Sequence, residues 1–208
     1  MQKMKGLYIH IPKTGGTFLR AYFMSAAPQI IQVGHNCISE IEFDLKDYYT
    51  FAFIRNPFDW YVSRYFYFKR IDAVEQGVSI CCDSGLAKVA FAKAFPTFRD
   101  HMLWGINNPE NFWLSNRYIN MCTICGEDRI NKFYYFESMQ DNINLLFSDL
   151  QISPNILYVE YYEGIGKISL NSTEHEHYSH YYDDELIALV EGKDSYLLDR
   201  FGYSYGIR

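Results

Sequence analysis

Lys13, Thr14, Gly15, Gly16 and Thr17 stand in the crease between a short apolar run, Leu7 to Ile11, and a renewed apolar pattern. A strand that runs through a Gly-rich turn into a helix is an anion-binding device. The first-turn N–H groups have no intrahelical partners, and the helix dipole adds partial positive charge there. Gly15 and Gly16 let backbone approach a phosphate closely. Lys13 supplies a point charge, and Thr14 and Thr17 supply hydroxyl donors. The order differs from a Walker A loop, in which lysine follows the last glycine and a hydroxyl serves magnesium. The plain alternative is a Gly-Gly turn beside a solvated lysine.

A second group follows in "FAFIRNPFDWYVSRYFYF". Arg55 leaves the carboxyl end of an apolar strand, where open α/β sheets place ligands. Ser63 lies on the next helix, and at ~1.5 Å rise per residue it is about 10 Å from the helix start. The long Arg55 side chain could converge with Ser63 on one anion. The alternative is an arginine at the sheet edge and a serine on a polar face.

The elements that must position these groups alternate between strand and helix. "GLYIHI" reads as a strand, and "TFLRAYFMSAA" as a helix with apolar residues at 18, 19, 22, 23 and 26. "QIIQVG", "YYTFAFI" and "INKFYYFE" read as further strands, the second apolar on both faces as a central parallel strand would be. Asn56 and Pro57 open a helix as cap and first residue. "GLAKVAFAKAF" and "TFRDHMLWG" look helical, while "GINNPEN" and the cysteine segments look like loops. "SMQDNINLLFSDL" reads as a helix capped by Ser138, and a late helix is capped by Asp183 or Asp184. The pattern predicts one α/β domain over 1–208, with a central parallel β-sheet flanked by helices and a P-loop-like nucleotide-binding architecture.

With both motifs in view, the chain resembles the sulfotransferase superfamily that uses 3′-phosphoadenosine 5′-phosphosulfate (PAPS). "IPKTGGT" is similar to that family's 5′-phosphosulfate loop, and "IRNPFDWYVSRYFYF" to its 3′-phosphate motif. "YYFESMQDNINLLFSDLQI", "HYSHYYDDELIALV" and "RFGYSYG" extend the resemblance, the last two toward the carbohydrate-type branch with its uronyl 2-O-sulfotransferases. The resemblance implies that Lys13 contacts the oxygen bridging phosphate and sulfate. It implies that backbone N–H groups of Gly15, Gly16, Thr17 and Phe18 hold the 5′-phosphate, and that Arg55 and Ser63 hold the 3′-phosphate. It also implies a PAPS-dependent sulfotransferase acting on an acceptor hydroxyl, with no metal.

Sulfuryl transfer to a hydroxyl needs a base, and a histidine suits that task near neutral pH. Of six histidines, His35 is the expected base. It lies just past the second strand, at the ligand-bearing edge, where the carbohydrate-type branch has a similar glycine-histidine pair. His10, inside the first strand, reads as a hydrogen-bonded core residue, and His101 as a bystander. His175, His177 and His180 lack a metal-ligand spacing, and their segment is expected to lie over nucleotide or acceptor. Glu40 and Glu42 are weaker candidates for the base.

Composition bounds the rest. The chain has 208 residues, 49% of them hydrophobic, with 19 Tyr, 16 Phe and a net charge of −6. Such a chain can bury a core, and its acidity argues against nucleic acid and against a highly sulfated polymer. The expected acceptor is a glycan or a small hydroxylated metabolite. Arg64, Lys69 and Arg70 read as a solvated basic helix end. The cysteines, including "CTIC", read as reduced thiols rather than a zinc site. No membrane span is expected, and "MQKMKGLYIHIP" reaches Pro12 too early for a signal peptide, so a cytoplasmic protein is expected. Rival readings are a non-catalytic nucleotide-binding module and a P-loop-like small-molecule kinase.

Overall fold

The computed structural model describes residues 5–42, 44–69, 94–155 and 175–206. In chain order they form β1 (Lys5–Ile9), α1 (Gly16–Ala26), β2 (Ile31–Gln32), β3 (Tyr48–Ile54), α2 (Pro57–Lys69), α3 (Phe98–Asn107), α4 (Pro109–Phe112) and α5 (Leu114–Cys122). There follow β4 (Thr123–Ile124), β5 (Glu127–Asp128), β6 (Lys132–Tyr135), α6 (Met139–Asp149), α7 (Asp184–Lys193) and α8 (Ser195–Phe201). The chain divides into two compact units, 1–55 with 118–172, and 56–117 with 173–208.

The first unit is built on a parallel sheet of order β2-β1-β3-β6. Its register pairs Tyr8 with Gln32, Ile9 with Ala52, and Ile54 with Tyr135. Alternation along the strands puts Tyr8, Phe51, Phe53 and Tyr134 on one face, where they pack with Leu19, Tyr22 and Phe23 of α1 and Ile143, Leu146 and Phe147 of α6. Leu7, Ile9, Ala52 and Ile54 on the other face are also fully buried. That burial of both faces is what parallel central strands require. The buried positions of α1 are Gly16, Leu19, Tyr22, Phe23 and Ala26, close to the apolar stripe expected there. α6 is tied back to β6 by Asp149, which accepts from Lys132 Nζ and Tyr134 Oη, both at 2.6 Å.

Several local expectations are corrected. β2 is only two residues long, and β6 ends at Tyr135 because Phe136–Ser138 turn into a 3-10 segment. Ser138 precedes α6, but its side chain makes no capping hydrogen bond. "CTIC" is no loop. Thr123–Ile124 and Glu127–Asp128 pair as an antiparallel ribbon around Cys125 and Gly126, both at positive φ.

The second unit is helical and aromatic. Asn56 Oδ1 accepts from the Phe58 N–H at 3.0 Å, so the expected cap of α2 is present. Thr97 and Asp100 form a capping box at α3. The expected loop at "GINNPEN" is mostly helix, because α3 runs to Asn107 and Pro109 starts α4. Asp183 Oδ1 caps α7 by accepting from Leu186 N at 2.9 Å, and a second helix follows after a break at Asp194. Asp194 is buried and accepts from Tyr61 Oη at 2.5 Å and Ser115 N at 2.8 Å. Burial pushes its carboxyl up, while those two donors pull it back. Most of "GLAKVAFAKAF" lies outside the described residues, as do Arg70, Cys81 and Cys82.

Candidate active site

The register of the sheet decides what meets at its carboxyl edge. Ile9 pairs with Ala52, so the residues just past Ile9 run beside those just past Ala52, and Arg55 comes alongside the turn. Its Nη1 donates to the Lys13 carbonyl at 3.0 Å. Ile54 pairs with Tyr135, so Arg55 also meets Phe136. Its guanidinium lies 4.2 Å from that ring's centroid. Arg55 is 8% exposed and so is held in place as part of the turn's foundation.

The turn itself has the form that the glycines suggest. Gly15 caps α1 with φ 78, and no side chain caps that end. No acidic residue occupies the first turn of α1, so the positive end of the helix is not offset there. A Cβ on Gly15 would come 2.3 Å from Met139 Cε, the movable end of a flexible side chain, so the positive φ rather than this contact is what favours glycine. Lys13 takes φ 66, a left-handed conformation that a non-glycine residue adopts at a cost. Thr14 is fully buried, and its hydroxyl donates to the Ile11 carbonyl at 2.7 Å. That hydroxyl is therefore committed to the turn's own backbone, a correction to its expected use as a ligand donor. Thr17 is exposed and Phe18 half-buried at the start of α1.

The β1–β2 register brings a further pair together. Tyr8 opposite Gln32 leads His10 alongside Gly34, with His35 next. The two imidazoles lie 4.3 Å apart between centroids, at 33° between planes. His10 also stacks on Tyr8, with centroids 5.7 Å apart. It is therefore not an ordinary core histidine, as the strand pattern suggested. It sits just past the end of β1 and lines a cleft of about 300 Å³ together with His35, Gly16, Thr17, Arg20 and Gln32. A Cβ on Gly16 would stand 1.7 Å from His10 Nε2. Gly16 is thus needed for a close approach, and what approaches is His10. Burial pushes the His10 imidazole down to about 3, and His35, Arg20 and Lys13 add to that as positive neighbours. The sequence pattern places His10 in the core and singles out nothing at Arg20. The only signal was that "YIHIPK" ends a strand beside one that ends in "GH", which is informative only once their pairing is known.

The other candidate residues have the following surroundings. Ser63 is buried on α2 in the second unit. His101 is fully buried among Tyr65, Phe95 and Phe112, and its burial, then Arg64, pushes it well below its ordinary value. Arg64 is not solvated as expected. It is 3% exposed, with Trp60, Phe68 and Phe112 around its guanidinium. Lys69 Nζ donates to Tyr65 Oη and the Pro96 carbonyl. Glu40 accepts from Cys37 N at 2.8 Å and so caps a 3-10 turn, while Glu42 is exposed. His177 Nδ1 and Ser179 Oγ share a hydrogen bond at 2.8 Å, and His175 stacks on Phe66.

Among the described residues no group of three or more His, Cys, Asp or Glu side chains could hold a metal ion. Cys37, Cys122 and Cys125 form no disulfide among the described residues. No helix of the described residues is long and apolar enough to cross a membrane. Neither a curated protein nor a solved structure matches the chain. A family model described as the sulfotransferase family matches it over residues 2–204, from the first strand through the last helix. The match covers nearly the whole chain, and the chain belongs to the sulfotransferase family.

Proposed function

We propose that the chain, as one sulfotransferase domain over 1–208, moves a sulfuryl group from PAPS to an acceptor hydroxyl, on a glycan or a small metabolite. The observation that carries this reading is the shared carboxyl edge of β2, β1 and β3, which gathers His35, the 13–17 turn and Arg55 in one unit. The N-terminus of α1, which no side chain caps, suits the 5′-phosphosulfate through the N–H groups of Gly15, Gly16, Thr17 and Phe18. Arg55, already joined to the turn, suits the 3′-phosphate.

The acceptor oxygen attacks sulfur in line, and the new O–S bond forms as the bond from sulfur to the phosphate oxygen breaks. His35 takes the hydroxyl proton, which is the work of a general base worth about 10²- to 10⁴-fold. Lys13 and the first-turn N–H groups stabilise the negative charge that appears on the phosphate oxygen, where one such donor is worth about 10²- to 10³-fold. Both groups act by position and field.

The test supplies labelled PAPS with a panel of hydroxylated acceptors and looks for labelled product. In parallel, melting temperatures are compared with adenosine 3′,5′-bisphosphate and with ATP-magnesium. Labelled product and stabilisation by the bisphosphate are expected. Stabilisation by ATP-magnesium alone would make the protein a kinase. Bisphosphate binding with no product from any acceptor would make it a binding module.

A further inference from the structure

The His10 ring has a role to explain. It is the middle of three rings, Tyr8, His10 and His35, that lead from the buried sheet to the cleft. Tyr8 is 1% exposed and clamped by Phe23, Phe51 and Phe53, so the inner end of the row cannot move. His35 is exposed at the outer end. An exposed side chain on a turn has several rotamers, and each one that misdirects the imidazole lowers the working fraction. A ring fixed at 4.3 Å removes most of those alternatives. Gly16, by lacking a Cβ, is what lets His10 occupy that position beside the anion-binding turn.

We propose that His10 is a positioning residue for the reaction. Its ring, seated in the space that Gly16 leaves and backed by Tyr8, holds the His35 imidazole in place at the cleft beside the 13–17 turn. This rests on His35 being the base. The titratable and charged groups that face His10 are Tyr8, Lys13, Arg20 and His35. The three potential cations and the burial of the ring keep His10 uncharged at neutral pH. It therefore supports His35 as a plate and does not compete with it for a proton. The ring, not its nitrogens, is what the role needs.

The experiment uses the whole chain with His10→Ala and His10→Phe. Turnover with labelled PAPS should fall about 10- to 100-fold in His10→Ala, in kcat rather than KM. The dissociation constant for adenosine 3′,5′-bisphosphate should stay within about twofold, since the ring only adjoins the turn. His10→Phe should recover most of the lost turnover. In imidazole NMR spectra, the His35 ring signals should lose their ring-current shift in His10→Ala and keep it in His10→Phe. Turnover unchanged in His10→Ala, His35 signals unmoved by that change, or His10→Phe as impaired as His10→Ala would each overturn the inference. The NMR arm needs no acceptor. If wild-type protein yields no product, the proposed function fails, while the spectra still decide whether His10 sets His35.

Discussion

Because it is held uncharged in the folded protein, His10 makes stability depend on pH, and the size of the effect follows from its surroundings. An unfolded chain protonates a histidine near pH ~6.5, whereas folded His10 does so only at about 3. Between those values the unfolded state binds more protons, so stability rises with pH across the window and is lost as pH falls. At ~1.4 kcal/mol per pKa unit, moving from pH ~6.5 to ~4.5 costs about 2 kcal/mol for a fully shielded ring. Water reaches one side of the cleft, and screening there reduces the expected value to about 1–2 kcal/mol. His10→Phe keeps a ring in the same place and removes the titration. Urea unfolding of both proteins at a series of pH values across that window gives the difference directly. His101, also pushed down by burial, is present in both and cancels. The wild-type protein should lose about 1–2 kcal/mol more than the variant on acidification. Parallel curves for the two would refute the account of a ring held neutral by its neighbours.

Lys13→Ala and His35→Asn should each lower kcat by about 10²-fold or more while bisphosphate binding weakens far less, as measured by labelled-product assay and calorimetry. Near-normal turnover in either would remove that residue from the chemistry. Gly16→Ala drives a Cβ into the His10 ring, and a melting curve should show a loss of about 1–3 kcal/mol. Wild-type stability there would mean the ring moves away without cost. Asp194→Ala leaves Tyr61 Oη and the Ser115 N–H without their shared acceptor. Urea denaturation should register about 2–4 kcal/mol, and a neutral outcome would show that this buried carboxylate is dispensable.

What the sequence disclosed follows the range of the interactions concerned. The apolar spacing of α1, the two-faced hydrophobicity of β3, and the Asn56-Pro57 start of α2 are set by residues within one or two turns, and all appear in the structure. The Gly-rich turn was legible for the same reason. Strand register is not local. The contact of Arg55 with the Lys13 carbonyl spans 42 residues, and the meeting of His10 with His35 depends on a β2 of two residues. Without that pairing, a histidine at a strand end looks like core. Thr14 misled in a different way. Its type suits a ligand donor, but a fully buried hydroxyl takes the nearest carbonyl, here that of Ile11. Charge near a helix end is usually solvated, and only the rings of Trp60, Phe68 and Phe112 set Arg64 apart from that pattern.

The left-handed backbone at Lys13 has a consequence for stability. A glycine would sit there more easily, by about 1 kcal/mol relative to a residue with a Cβ. The chain keeps the amine and accepts the less comfortable conformation. Lys13→Gly should therefore melt above Lys13→Ala while both are equally inactive, and a higher melting point for the alanine form would show that the turn places no such demand. Robustness alone would favour glycine at this position, so the proposed role of the Lys13 amine carries a standing cost in stability.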